Sequence, residues 1–152
     1  MVAKAIPGRH PDRVKQFSVF TPNRLGRLHD LTHLLNSHNV HVLGLMVLDT
    51  TDSAILRFVV DDPDRTRDLL QEHGFPFNES ELMVVELDSA TRLNDLMAAL
   101  LEAELNINYL YSFIPHPQGK SILAFSMEDN EMGEQVLTRR QFRVLRQVDV
   151  SR

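Results

Sequence analysis

The chain of 152 residues has no cysteine, which excludes disulfides, thiolate nucleophiles and cysteine-ligated metal sites. It has no excess of basic charge: sixteen Lys and Arg stand against twenty-one Asp and Glu, a net charge of −5. A nucleic acid or an anionic membrane surface needs a concentrated basic face, so neither is an expected partner. No apolar run approaches the roughly 18 residues of a membrane span. The N-terminal stretch "MVAKAIPGRHPDR" lacks the apolar core of a signal peptide, so a cytoplasmic location is expected. G-x-S-x-G, H-E-x-x-H and Walker-type loops are also missing, and a Cys–His pair is impossible. What is there is length enough for one or two small domains with a real core.

The chain matches itself. "GRLHDLTHLLNSHNVHVLGL" (26–45) lies over "TRLNDLMAALLEAELNINYL" (91–110), so that Arg27, Leu28, Asp30, Leu31 and Leu35 meet Arg92, Leu93, Asp95, Leu96 and Leu100. Beyond a turn two residues longer in the second copy, Ile55, Leu56, Phe58, Asp62, Leu70 and Phe75 meet Ile122, Leu123, Phe125, Asp129, Leu137 and Phe142. Register held over that length, with one insertion at a turn, marks one fold written twice. The expected domains are 14–80 and 81–146, with the boundary near Ser80.

One reading of secondary structure then serves both copies. "VKQFSVF" (14–20) is strand-like, and Leu28, Leu31 and Leu35 at helical spacing predict an amphipathic helix over about 26–38. "NVHVLGLMVLD" and "AILRFVVD" are the next strands, around a "TTDS" turn. Asp62-Pro63 supplies an N-cap and an N1 proline, and Gly74 stands where a helix C-terminal glycine belongs. "FPFNE" closes the unit as a short strand. The second copy offers "LMVVEL", a helix over 91–103, "LNINYLYSFI", "KSILAFSM", a helix over 130–140 and "FRVL". The order β-α-β-β-α-β is the ferredoxin-like split unit, so the predicted class is α+β: two such units, antiparallel sheets with helices on one face.

Alternation in the strand at 40–48 puts Val40, Val42, Met46 and Leu48 on one face and Leu43, Leu45 and Val47 on the other. In the matching strand Leu105, Ile107, Tyr109, Tyr111 and Phe113 share a face opposite Leu110 and Ile114. Strands apolar on both sides are normally covered on both. The helix-free face is therefore expected to meet another sheet, either the other repeat or, the favoured reading, a second copy in a homodimer.

The loop "NRLGRL", the helix after it and the "NVHV" and "LNIN" strands resemble the ACT domain, whose common pattern runs N-x-P-G-x-L before an I-N-I-like strand. Two copies in a short chain resemble the tandem ACT-domain proteins, and the resemblance spans about 14–146. It implies a regulatory module that binds a free amino acid between units, needs no cofactor, is not an enzyme, and acts on a partner enzyme in trans. The first turn of a helix presents unpaired N–H groups and partial positive charge, a natural place for an α-carboxylate. Gly26 lacks a Cβ, which allows close approach and a positive φ, and Asn23 can bond the carboxylate or the α-ammonium. The candidate ligand loop is Asn23, Arg24, Leu25, Gly26, Arg27 and Leu28. Leu25 departs from the family proline. In the second copy Thr91 replaces the glycine and Asp88 adds a negative charge, so that loop is not expected to bind. The family arrangement implies that the second repeat supplies a wall, with Asn106 and Asn108 reading the ligand.

Three rival readings are weaker. Among seven histidines, His29 and His33 share a helix face opposite the leucine stripe, while His38 and His41 do not converge on them, so no metal site is expected. "DTTD" and "DDPD" read as turn chemistry and a helix cap rather than a cation site. A small ferredoxin-like enzyme such as an acylphosphatase would need a motif spacing that is absent. RNA-binding domains share the strand order, but "AILRFVV" and "SILAFSM" lack the basic, aromatic-rich composition of the RNA-reading strand. A purely structural module that regulates an enzyme without a ligand of its own is the remaining alternative.

Overall fold

The computed structural model describes residues 12–22, 25–50, 52–114 and 120–151, and the backbone alone of Leu25. They form two compact units, residues 15–80 with 150–151 and residues 81–149 with 12–14. The first unit contains β1 (Val14–Thr21) after its first residue, α1 (Leu25–Ser37), β2 (Val42–Asp49), β3 (Ala54–Val60), α2 (Pro63–Glu72) and the opening of β4 (Phe77–Leu87). Its strands run in the order β4-β1-β3-β2. The second contains the rest of β4, α3 (Arg92–Glu102), β5 (Ile107–Ser112), β6 (Ser121–Met127), α4 (Asn130–Arg139), β7 (Arg143–Val144) and α5 (Gln147–Val150). Here the order is β7-β4-β6-β5. Each unit is a ferredoxin-like βαββαβ fold with an antiparallel sheet. Helical Leu31, Leu35, Leu69 and Leu70 pack on Phe17, Leu56 and Phe58 in one core, and Leu96, Leu100 and Leu137 pack on Met83, Val85 and Phe125 in the other.

The helix ends follow from local chemistry. Asp62 accepts the Arg65 N–H at 3.1 Å with Pro63 behind it, and Asp129 accepts the Met132 N–H at 3.0 Å. At their C-termini α1 to α4 share one device. Asn39, Gly74, Glu104 and Gln141 adopt φ of 60°, 71°, 56° and 66°. The next N–H, of Val40, Phe75, Leu105 or Phe142, then returns to the carbonyl of Leu35, Leu70, Leu100 or Leu137. Of these left-handed positions Gly74 and Asn39 carry residue types that favour the conformation, whereas Glu104 and Gln141 do not.

Two sequence expectations are corrected. The end of "FPFNE" from Phe77 and all of "LMVVEL", read as separate strands, belong to the single strand β4. The alternation read for β2 and β5 fails because each carries a bulge. Pairing steps from Val42↔Val60 to Gly44↔Val59, and from Ile107↔Met127 to Tyr109↔Ser126, which leaves Leu43 and Asn108 as the extra residues. The phase flips there. Val42, Leu45 and Val47 share the helix side, as do Leu105, Ile107 and Leu110, while Tyr109 and Tyr111 face the helix-free side. On that side Gln16, Val59, Leu82, Val84 and Ala124 are all at most 1 % exposed, and Tyr111 and Phe113 are buried.

Candidate functional site

Asn23 and Arg24 lie outside the described residues, as does the Leu25 side chain. Helix α1 starts at Leu25, one residue before the periodicity places it, so Gly26 is helical. Gly26 does not use the positive φ that glycine allows, since among the described glycines only Gly74 has one. Gly26 instead provides room, for a Cβ built on it meets nothing within 4 Å. The first turn of α1 holds no acidic residue, whereas the first turns of α2, α3 and α4 hold Asp64, Asp95 and Glu131. No carboxylate within that turn of α1 offsets the positive end of its dipole.

The two residues after Gly26 have structural duties. The Arg27 guanidinium sits 4.5 Å from the Phe75 ring centre and 3.7 Å from Asp30. Its repeat mate Arg92 sits 4.2 Å from the Phe142 ring centre and 3.1 Å from Asp95. One Arg–Phe–Asp staple is thus built in both units, with a cation lying on an aromatic face. Because the loop that lacks the glycine has it too, the staple belongs to the fold. Leu28 packs against the core of the first unit.

The second loop occupies its own amides. Arg92 and Leu93 donate their N–H groups to the carbonyls of Ser89 and Ala90 at 3.1 and 3.2 Å. Thr91, at the N-cap of α3 with helical φ and ψ of −66° and −26°, makes no cap bond. Its hydroxyl pairs with Ser89 Oγ at 2.7 Å. Asp88 is held by Lys120 at 2.9 Å, and that hydrogen bond and charge lower the carboxyl's pKa and raise the amine's. Asn106 and Asn108 are exposed residues of the second unit. The Asn106 carbonyl accepts the Glu128 N–H at 3.4 Å, and the Asn108 amide donates to Ser126 Oγ at 3.2 Å.

Among the histidines, His29 and His33 are exposed and stack at 5.8 Å. His38, expected nearer the buried side, is exposed with Nδ1 2.9 Å from the Leu34 carbonyl. His41 is the surprise: its backbone N–H and Nδ1 lie 2.8 and 2.7 Å from the carboxylate of buried Asp61. Turn chemistry and capping therefore describe Asp62 and not Asp61, whose burial no local pattern signals. No group of three or more His, Asp or Glu that could hold a metal occurs among the described residues. None of the described helices is long and apolar enough to cross a membrane.

A family model described as an ACT domain pair matches residues 12–152. Protein BT0572 from Bacteroides thetaiotaomicron is similar in structure, with a TM-score of 0.83 at 24% identity over 91% of this chain and 95% of that one. The ligand-free regulatory subunit of aspartate kinase from Thermus thermophilus gives 0.58 at 13% identity over 83% and 89%. The aspartate kinase regulatory subunit from Thermus flavus gives 0.53 at 12% identity over 84% and 92%. At such identities the likeness is one of fold. No curated protein sequence matches this chain. The duplicated unit, its paired staples and the match over nearly the whole length lead to one assignment: this chain belongs to the ACT domain pair family.

Proposed function

We propose that this protein is a regulatory sensor that binds a free amino acid at the start of α1 in its first unit and acts on a partner enzyme in trans. In this reading it is not an enzyme itself. The observation that carries the reading is the contrast between the two helix starts. Above Gly26 a Cβ would meet nothing, whereas at α3 the turn 89–93 consumes two leading amides and Thr91 adds a side chain. An α-carboxylate is the anion that suits a helix start without an acidic residue in its first turn. Asn23, Arg24 and Leu25 complete the loop, and Arg27 and Leu28 hold it on the core rather than touching the ligand. The regulatory subunits of aspartate kinase among the similar structures support the same class of role.

A thermal-shift screen against the twenty amino acids tests the proposal, followed by calorimetric stoichiometry. One amino acid that binds once per chain is the expected result. No response to any of them would leave the ligand-free module as the better reading.

The proposal includes a homodimer through the helix-free face of the first unit. There Phe20, Ile55 and Leu48 form one apolar row across three strands, with Phe20 38 % and Leu48 46 % exposed. The corresponding row of the second unit begins with Glu86, paired with Arg143 at 2.9 Å. Light scattering at micromolar concentration should report twice the 17.4 kDa chain mass, and a purely monomeric species would refute this part.

A further inference from the structure

The second unit contains a cavity of about 630 Å³ along one face of α4, lined by Glu131, Glu134, Gln135, Thr138 and Arg139, with Arg13 on its other side. That volume lies within the range of small-molecule sites. Arg13 is only 2 % exposed, and its Nη2 donates to Glu134 at 2.9 Å. The same carboxylate also accepts from Arg146, while Arg13 Nη1 stands 3.8 Å from Glu81. Even so, Arg13 Nε and Nη1 and Arg146 Nη1 are buried without hydrogen-bond partners. A buried guanidinium with unmet donors is costly and calls for an acceptor.

The rim carries charges of both signs. Glu131 and Arg139 are exposed, and neither side chain has a hydrogen-bond or ion-pair partner among the described residues. They are eight residues apart on α4, about 12 Å along the axis. Between them lie the amide of Gln135 and the hydroxyl of Thr138. Compensation of the helix dipole accounts for an acid in the first turn and a base in the last. It does not account for the unmet donors of Arg13 beneath them.

We propose that this groove binds an extended zwitterion of about three residues, its ammonium at Glu131, its carboxylate at Arg139 and its carbonyls toward Arg13 and Thr138. Three extended residues span about 10 Å, which suits the rim, whereas a single amino acid is too short to reach both charges. The inference is independent of the first-unit site and concerns a different ligand length.

Calorimetry on the full chain with triglycine is the test. Triglycine should bind once per chain. Acetyl-triglycine and triglycine amide, each lacking one charge, should bind roughly 1.5- to fivefold more weakly, as exposed ion pairs predict. Glu131→Ala and Arg139→Ala, both on the exposed helix face and safe for folding, should each cause a similar loss. Gly26→Thr should leave triglycine binding intact. Absence of heat at about 10 mM triglycine, binding indifferent to both rim variants, or displacement by equimolar glycine would overturn the proposal. Loss of triglycine binding in Gly26→Thr would overturn it too, by moving the ligand to the first unit.

Discussion

The two copies agree where the fold is held and differ at the start of the first helix, on the helix-free face and at the position of Asp61. Both stack an arginine on the phenylalanine that follows the second helix, both carry a bulge three residues after the matched Val40 or Leu105, and both end their helices on a left-handed residue. The differences lie elsewhere. Gly26 stands against Thr91 at the first helix, Phe20 against Glu86 on the helix-free face, and the His41–Asp61 pair against Asn106 and Glu128. The lesson concerns Arg27. Its place beside the glycine suggests a ligand contact, yet its mate Arg92 has the same neighbours in a loop without the glycine. Duplication thus serves as an internal control that separates scaffold from site.

The strongest way to break this comparison is to remove the shared platform. Phe75→Ala and Phe142→Ala each empty a core position under an arginine and should each cost roughly 3–5 kcal/mol, read by chemical denaturation. Sharply unequal losses would show that the staples are not equivalent. Next comes the ligand response. A saturating amino acid at 100 times its Kd adds about 2.7 kcal/mol, or something like 5–10 °C in Tm for a chain of this size. Gly26→Thr should abolish that shift and Thr91→Gly should preserve it, and a Gly26→Thr protein that responds fully would place the ligand elsewhere.

A smaller effect sharpens the role of the glycine. Because Gly26 is helical with open space above it, Gly26→Ala should stabilise the unliganded chain by about 0.5–1 kcal/mol while weakening the ligand. Lower stability in that variant would mean that the backbone, rather than the ligand, requires glycine. The smallest effect is at the second loop. Lys120 depresses the pKa of Asp88, so this pair contributes above the ordinary carboxylate range and its contribution fades as pH falls through the lowered value. In Lys120→Ala the Asp88 titration midpoint, followed by NMR, should rise to the usual range. An unchanged midpoint would deny the pairing.

Much of this was legible in one dimension because it is local or repeated. Helical leucine spacing, Asp62-Pro63 and Gly74 each act within a few residues, and the internal match carried the reading across the second copy. What escaped depends on partners far along the chain. An extra residue in β2 or β5 alters no composition, and only the partner strand shows that Leu43 and Asn108 are unmatched. Glu104 and Gln141 give no hint of left-handed backbone, since the cap bonds and apolar contacts of Leu105 and Phe142 impose it. Arg13 reads as surface charge until Glu134, 121 residues later, is beside it. The loop at 23–28 was visible as a candidate, but the structural duty of Arg27 within it required Phe75 to be in place.

The bulges also bear on how the protein avoids sticking to itself indefinitely. β2 and β5 end their sheet orders, and an edge strand offers unpaired N–H and C=O groups to any passing chain. With exposed Val47, Leu48 and Leu110 along them, straight edges here would be templates for fibril-like growth. The extra residue interrupts each edge near its start and confines regular pairing to Gly44–Asp49 and to Tyr109–Ser112. Deleting Leu43 or Asn108 would make the pairing continuous, straighten that edge and lengthen the invitation, while the remaining side chains keep their present faces.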